Sequence, residues 1–124
     1  MKYAVLLLAA CLFSCSEGEK IAEIKMERDT INFNTIPQGK VILIPFKYKN
    51  VGNTELKIKK LDSSCPCIKI VSTGNNILPD ETGEIWISYD SSQDSAQVEQ
   101  SVVIETNTKT VLHTLTLKGV VSRK

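Results

Sequence analysis

An all-β domain, built as an antiparallel sandwich behind an N-terminal signal peptide, is the fold class this sequence predicts. Three observations carry it. From Asp29 onward, apolar residues recur at every second position in short runs, the period of a half-buried strand. Gly, Pro, Asn and Asp separate these runs at intervals of about 8–12 residues. Nowhere do apolar residues repeat at helical spacing over three turns. Seven to eight such runs are the pattern of a two-sheet sandwich.

The chain opens MKYAVLLLAACLFSC. Lys2 precedes an apolar run from Tyr3 to Phe13, and polar sequence begins at Ser16. Crossing a bilayer of about 30 Å takes roughly 20 residues, so this run is too short to span. A basic start followed by a short apolar middle is the form of a secretory signal. Small or apolar residues just before a cysteine, Leu12-Phe13-Ser14-Cys15 or Leu8-Ala9-Ala10-Cys11, resemble the lipobox of bacterial lipoproteins, in which the signal is cut before a cysteine that is then lipidated. Cys11 has the better box by letter but leaves a very short apolar core. Cys15 gives that core a normal length and is followed at once by polar Ser16–Lys20. Lipidation at Cys15 also leaves an even pair of cysteines in the mature chain, whereas lipidation at Cys11 leaves Cys15 as an odd thiol in an oxidising compartment. The reading is therefore a signal over 1–14, lipidated Cys15 and a tether over 15–28, and a sandwich over 29–122, with Cys11 as the alternative lipidation site.

Lys and Arg number 15 against 14 Asp and Glu, a formal net charge of +1. A balanced chain gives no electrostatic case for nucleic acid or for an anionic membrane surface. Attachment to a bilayer rests on the lipid, and the multiply acylated cysteine of lipoproteins is the stable case.

In chain order, Ile24–Glu27 reads as a weak strand. Asp29–Phe33 follows, with Ile31 and Phe33 on one face, and Ile36-Pro37-Gln38-Gly39 as a turn. Lys40–Lys49 is the clearest strand, with Ile42, Ile44, Phe46 and Tyr48 inward and Lys47 and Lys49 outward. Pro45 removes a ladder donor, so the strand is an edge there or carries a bulge. After a turn at Asn50–Asn53, Thr54–Leu61 points Leu56 and Ile58 inward. Ile68 and Ile70 share a face beyond the cysteines, and Ser72–Gly83 is a loop. Glu84–Tyr89 sets Ile85, Ile87 and Tyr89 inward and Trp86 outward. A polar turn over Asp90–Ala96 leads to Val98–Thr106, with Val102 and Ile104 inward. Thr110–Val121 closes the domain with Val111, His113, Leu115 and Leu117 on one face.

The order of these motifs resembles that of the DUF1573 family of secreted bacterial proteins. The residues that carry it are Asp29–Phe33 with Ile36-Pro37-Gln38-Gly39; Phe46-Lys47-Tyr48-Lys49-Asn50-Val51-Gly52; Ser64-Cys65-Pro66-Cys67; Leu78-Pro79-Asp80; Gly83-Glu84-Ile85; Thr106-Asn107; and Leu117-Lys118-Gly119-Val120. The resemblance implies a single immunoglobulin-like sandwich and an envelope address, and supplies no reaction. It departs from the family at Pro66, where the pattern has glycine, at Ile68, where it has threonine, and at Asp80, where it has glycine. It departs again at Asn34, a residue that, like the usual glycine, tolerates positive φ.

Chemistry, if any, belongs to Cys65 and Cys67. Three uses compete: a structural pair of small apolar side chains, a dithiol–disulfide couple, and a soft-metal grip on Cu(I). Closing so short a ring constrains the unfolded chain by only about 1.6 kcal/mol. In extended backbone, cysteines at i and i+2 lie too far apart to bridge without strain, and Pro66 holds Cys65 extended. A Cys65–Cys67 bridge is thus expected to be absent or easily reduced. For a metal, only His113 and Met26 add weak accessory ligands, and neither is placed near the pair by sequence. Nucleophile elbows, phosphate loops and paired zinc histidines are missing. The expected protein is a non-catalytic lipoprotein of the bacterial envelope, facing the periplasm or the outside. It binds or assembles with another envelope protein, needs no cofactor, and has thiol-redox or Cu(I) handling as its alternative.

Overall fold

The period-two runs close into two four-stranded sheets that bury one face each. The computed structural model describes residues 18–74 and 76–123; the expected signal over 1–14 and the lipidation candidates Cys11 and Cys15 lie outside the described residues. The strands are β1 (Ile24–Met26), β2 (Thr30–Pro37), β3 (Val41–Asn50), β4 (Ile58–Ser63), β5 (Ile68–Ser72), β6 (Thr82–Asp90), β7 (Ala96–Thr106) and β8 (Leu112–Ser122), with a 3₁₀ turn at Ser91–Gln93. One sheet has the order β1-β3-β6-β5 and the other β2-β8-β7-β4. This is the A-B-E-D and G-F-C arrangement of the immunoglobulin sandwich, with β2 added beside β8.

The inward set is largely as the alternation predicts. Ile44, Phe46 and Tyr48 of β3 are buried, and so are Ile85, Ile87 and Tyr89 of β6. Cross-strand pairing stacks Ile44 on Ile87 and Phe46 on Ile85. From the other sheet come Val102, Ile104, Leu115 and Leu117, all nearly inaccessible. Trp86 lies on the outer face opposite Pro45, its indole Nε1–H donating to Glu84 Oε2 at 2.8 Å.

Pro45 sits at a local edge, as its missing donor requires. Lys47, two residues on, accepts from Glu27 N–H at 2.9 Å on the β1 side. Backbone groups two apart point the same way. The donor absent at Pro45 would therefore face the side where β1 has already ended.

Five local expectations need correction. The tether expected over 15–28 joins the sandwich before the weak strand read at Ile24–Glu27, which forms as β1 against β3: Ala22 is already buried and bridges Thr108. The sandwich is not wholly antiparallel, because β2 runs parallel to β8. The chain crosses from one sheet to the other between β1 and β2, so β2 arrives beside β8 in the same direction. That strand also runs past Phe33 to Pro37, with a register shift between Asn32 and Thr35 where Asn34 takes φ 64°. The shift restores an inward position for Ile36. The expected strand over Thr54–Leu61 is split, since Leu56 leaves it for a two-bond bridge with Ile77, inside the expected loop. Val111 is exposed, because it belongs to the β7–β8 turn, where its carbonyl accepts from Thr106 N–H at 2.8 Å.

Where β3 ends, one polar side chain is fully buried. Asn50 Nδ2 donates to the carbonyls of Thr54 at 2.7 Å and Ile77 at 2.9 Å, and its Oδ1 accepts from Gly52 N–H at 2.9 Å. The residue thus ties the β3–β4 turn to the Leu56–Ile77 bridge. Replacing it with alanine strands three backbone groups, each costing about 1–3 kcal/mol when buried without a partner. Asn50→Ala is expected to lower stability by about 3 kcal/mol, read as a lower urea midpoint with an unchanged m-value.

Candidate functional site

The Cys65–Cys67 turn is a crossing between sheets. Ser63 ends β4 in one sheet and Ile68 begins β5 in the other, so Ser64–Cys67 must reverse and translate the chain in four residues. Ser63 prepares it: its Oγ donates to the Cys65 carbonyl at 2.6 Å and lies 3.2 Å from Cys65 N–H. Ile68 N–H then donates to the Cys65 carbonyl at 3.1 Å, closing a β-turn over Cys65–Ile68. Pro66 occupies its second position, where the fixed φ of proline is favoured. The Cys67 carbonyl accepts from Asp90 N–H at 2.9 Å, which fastens the turn to the end of β6.

Within this turn the two cysteines are joined as a disulfide, with Cα atoms 5.1 Å apart. The expectation of extended backbone here was wrong. Proline disfavours the helical region for the residue before it, but the reversal comes after Cys65, over Pro66 and Cys67, and that brings the α-carbons inside the bridging range. Both cysteines are half-buried, with Cys67 packed against the core. Cys67 N–H points at Cys65 Sγ, 3.1 Å away.

Two other turns share this end of the sandwich. Buried Ser91 accepts from Lys40 N–H at 2.9 Å, and its hydroxyl lies 2.8 Å from the Pro37 carbonyl, tying the β2–β3 turn to the 3₁₀ turn. Tyr89 donates its hydroxyl to Asp94, while Phe33 stacks on its ring at 5.3 Å. Gly119 makes room for Phe33, since a Cβ there would lie 2.3 Å from the ring. Burial, then the hydrogen bond and charge of Asp94 and the charge of Asp90, push the Tyr89 phenol up. Asp90 itself is held down by hydrogen bonds from Ser92. Sequence reasoning missed Ser91, Tyr89 and Asp94 as a group; Asp90-Ser91-Ser92 reads locally as a polar turn, and burial is not local information.

The accessory metal candidates lie elsewhere. Met26 is on β1, at the edge of its sheet farthest from β5, and packs against the core. His113 is on β8, two strands from β4, with Nε2 at 3.1 Å from the Thr108 hydroxyl. Among the described residues, no three His, Cys, Asp or Glu side chains gather in a group that could hold a metal ion.

The far end holds the start of the described chain. Asn53 Nδ2 donates to the Glu19 carbonyl at 3.0 Å, Asn53 Oδ1 accepts from Ile21 N–H at 2.7 Å, and Asn53 N–H donates to the Ile21 carbonyl at 2.9 Å. Gly52 permits the close pass, because a Cβ there would sit 2.2 Å from the Ile21 carbonyl oxygen.

The family profile described as "Protein of unknown function (DUF1573)" matches residues 24–121. The chain belongs to the DUF1573 family. Comparison with curated proteins gives no match. Among solved structures, this DUF1573 domain is similar to a Porphyromonas gingivalis W83 protein of unknown function, with TM-score 0.72 and 14% identity over 88% of this chain. It spans 51% of that protein's length. It is also similar to the human CEP192 ASH/PapD-like domain 7, with TM-score 0.66 and 14% identity over 94% of this chain and 96% of that one. The VesB protease of Vibrio cholerae shares the architecture at TM-score 0.59 and 14% identity, over 82% of this chain and 31% of that one. Identities this low show the fold alone.

The raised Tyr89 pKa sets a pH dependence. The folded DUF1573 domain holds the phenolic proton more tightly than the unfolded chain, whose phenol keeps the ordinary value of 10.0. The stability this confers is complete below about pH 10 and is lost as pH rises above it. Unfolding free energy is expected to be flat up to that point, then to fall by at most about 1.4 kcal/mol per pH unit for this group. Burial raises Tyr48 as well, so Tyr89→Phe should reduce the alkaline slope in urea titrations without abolishing it. An unchanged slope would remove Tyr89 as its source.

Proposed function

We propose that this DUF1573 protein is a non-catalytic lipoprotein of the bacterial envelope, held to a bilayer through Cys15 and acting as a binding or assembly module for another envelope protein. The observation that carries the reading is the opposition of the two ends of the sandwich. The chain start is pinned over Glu19–Ile21 at one end, and the three turns at 38–40, 64–67 and 91–95 gather at the other. From Cys15 to Glu19 the chain reaches at most about 14 Å. An acyl anchor at Cys15 would hold the Asn53 and Asn107–Lys109 end toward the bilayer. The ten residues of β3 then set the opposite turns about 33 Å farther out. A module presented this way offers its outward turns to a partner. Balanced charge and scattered acidic side chains support recognition by shape and hydrogen bonding rather than by a strong field.

Two measurements test this. Cys15→Ser is expected to move the full-length protein from the membrane to the soluble fraction and to remove the acyl mass, while Cys11→Ser leaves it in place. The reverse outcome moves the anchor to Cys11, and retention of both variants removes the lipid. A photo-crosslinking side chain at exposed Gln93, on the outward end, is expected to give a discrete protein adduct in intact cells, whereas one at Lys109 gives none. Adducts at Lys109 alone would overturn the outward-facing module.

A further inference from the structure

We propose that the Cys65–Cys67 disulfide is a thiol–disulfide exchange site, an acceptor of two electrons from the thiols of a partner. This goes beyond the module reading and does not depend on the anchor.

The turn does not need the bridge. Its shape is set by the Ser63 Oγ bond to the Cys65 carbonyl, by the Ile68 N–H bond to the same carbonyl, by the Asp90 N–H bond to the Cys67 carbonyl, and by Pro66. Cys67 and Ile68 add packing against the core. A ring so short constrains little of the unfolded chain. The bond can therefore open while the turn around it stays in place. Both sulfurs belong to half-buried residues at a surface turn flanked by exposed Ser64 and Pro66, so a thiol can reach them.

The two sulfurs are not equivalent. Cys67 N–H is directed at Cys65 Sγ, and no corresponding donor is directed at Cys67 Sγ among the described residues. A hydrogen bond of this kind stabilises a thiolate more than a thiol. Cys65 is thus the better leaving sulfur, and Cys67 the one attacked. A partner thiolate bonds to Cys67 Sγ; the Cys65–Cys67 bond breaks and its electron pair remains on Cys65 Sγ. A second partner thiolate then attacks the partner's own sulfur in the mixed disulfide and frees Cys67. The partner is left with a disulfide, having passed two electrons and two protons, and the protons end on the Cys65 and Cys67 thiols. A protein dithiol or two molecules of a small thiol satisfy the same balance.

The test uses the full-length protein in detergent. Reduction is followed by alkylation and intact mass, in glutathione redox buffers and with a purified thioredoxin. The expected result is full two-electron reduction and reoxidation, with an unchanged far-UV circular dichroism spectrum in both states. Faster reduction by thioredoxin assigns a protein dithiol as the partner, and faster reduction by glutathione a small thiol. A pair that resists excess dithiothreitol in the folded protein, or whose reduction unfolds the domain, overturns the proposal. A second measurement reads the asymmetry. In Cys67→Ser the remaining Cys65 thiol should react with iodoacetamide at lower pH than the Cys67 thiol of Cys65→Ser, with a rate roughly tenfold higher at neutral pH. Coincident or reversed pH profiles would overturn the assignment of Cys65 as the leaving sulfur.

Discussion

The buried amide of Asn50 is the interaction on which this sandwich depends most. A two-sheet fold has its hardest problem at the ends, where the chain leaves one sheet for the other and exposes unpaired backbone. At the end of β3 that problem is met with one side chain, whose two donors and one acceptor reach Thr54, Ile77 and Gly52. Its own backbone adds a bond from Asn50 N–H to Glu81 and one from Asp80 N–H to the Asn50 carbonyl. An apolar residue would fill the space and leave those groups dry. A charged one would bring a desolvation cost with no countercharge. Only a neutral side chain with both donors and an acceptor fits the set.

The same logic separates the two ends. At the Asn50 end the turns are laced together and to the segment Glu19–Glu23, so this end is closed by its own chain. At the opposite end the turns are bonded within themselves, Tyr89 with Asp94 and Ser63 with Cys65, and to one another, Ser91 with Lys40 and Asp90 with Cys67. Turns braced in this way keep their shape, as a preorganised surface does.

Much of this was legible in the sequence because strand alternation is a local signal. The rows Ile44-Phe46-Tyr48 and Ile85-Ile87-Tyr89 declare their buried face within six residues. Asn34 advertised its positive φ. What sequence could not show is pairing between distant segments. The direction of β2 against β8 depends on where the chain changes sheets, and no residue in β2 encodes it. Leu56 and Ile77 each look like an ordinary strand or loop residue until they meet. Asn50 reads as a turn former, and only the fold makes it a buried node. Met26 and His113 carried ligand chemistry in the sequence, and the topology put them on different sheets, away from Cys65.

The cysteine pair shows the opposite failure, in which a correct local rule led to a wrong local geometry. The rule that a residue before proline avoids the helical region speaks only for Cys65, and the turn is made by the two residues after it, Pro66 and Cys67. That placement has a consequence for the substitution of proline where the family pattern has glycine. Glycine leaves the turn free to open in the unfolded chain, so a bridge across it would carry part of the work of shaping it. Proline presets the same corner through its own ring and lowers the entropy lost on folding. With Pro66 and Ser63 already defining the corner, the sulfur–sulfur bond contributes little to the fold. A bond that contributes little to the fold is the one that can be made and broken without disturbing it.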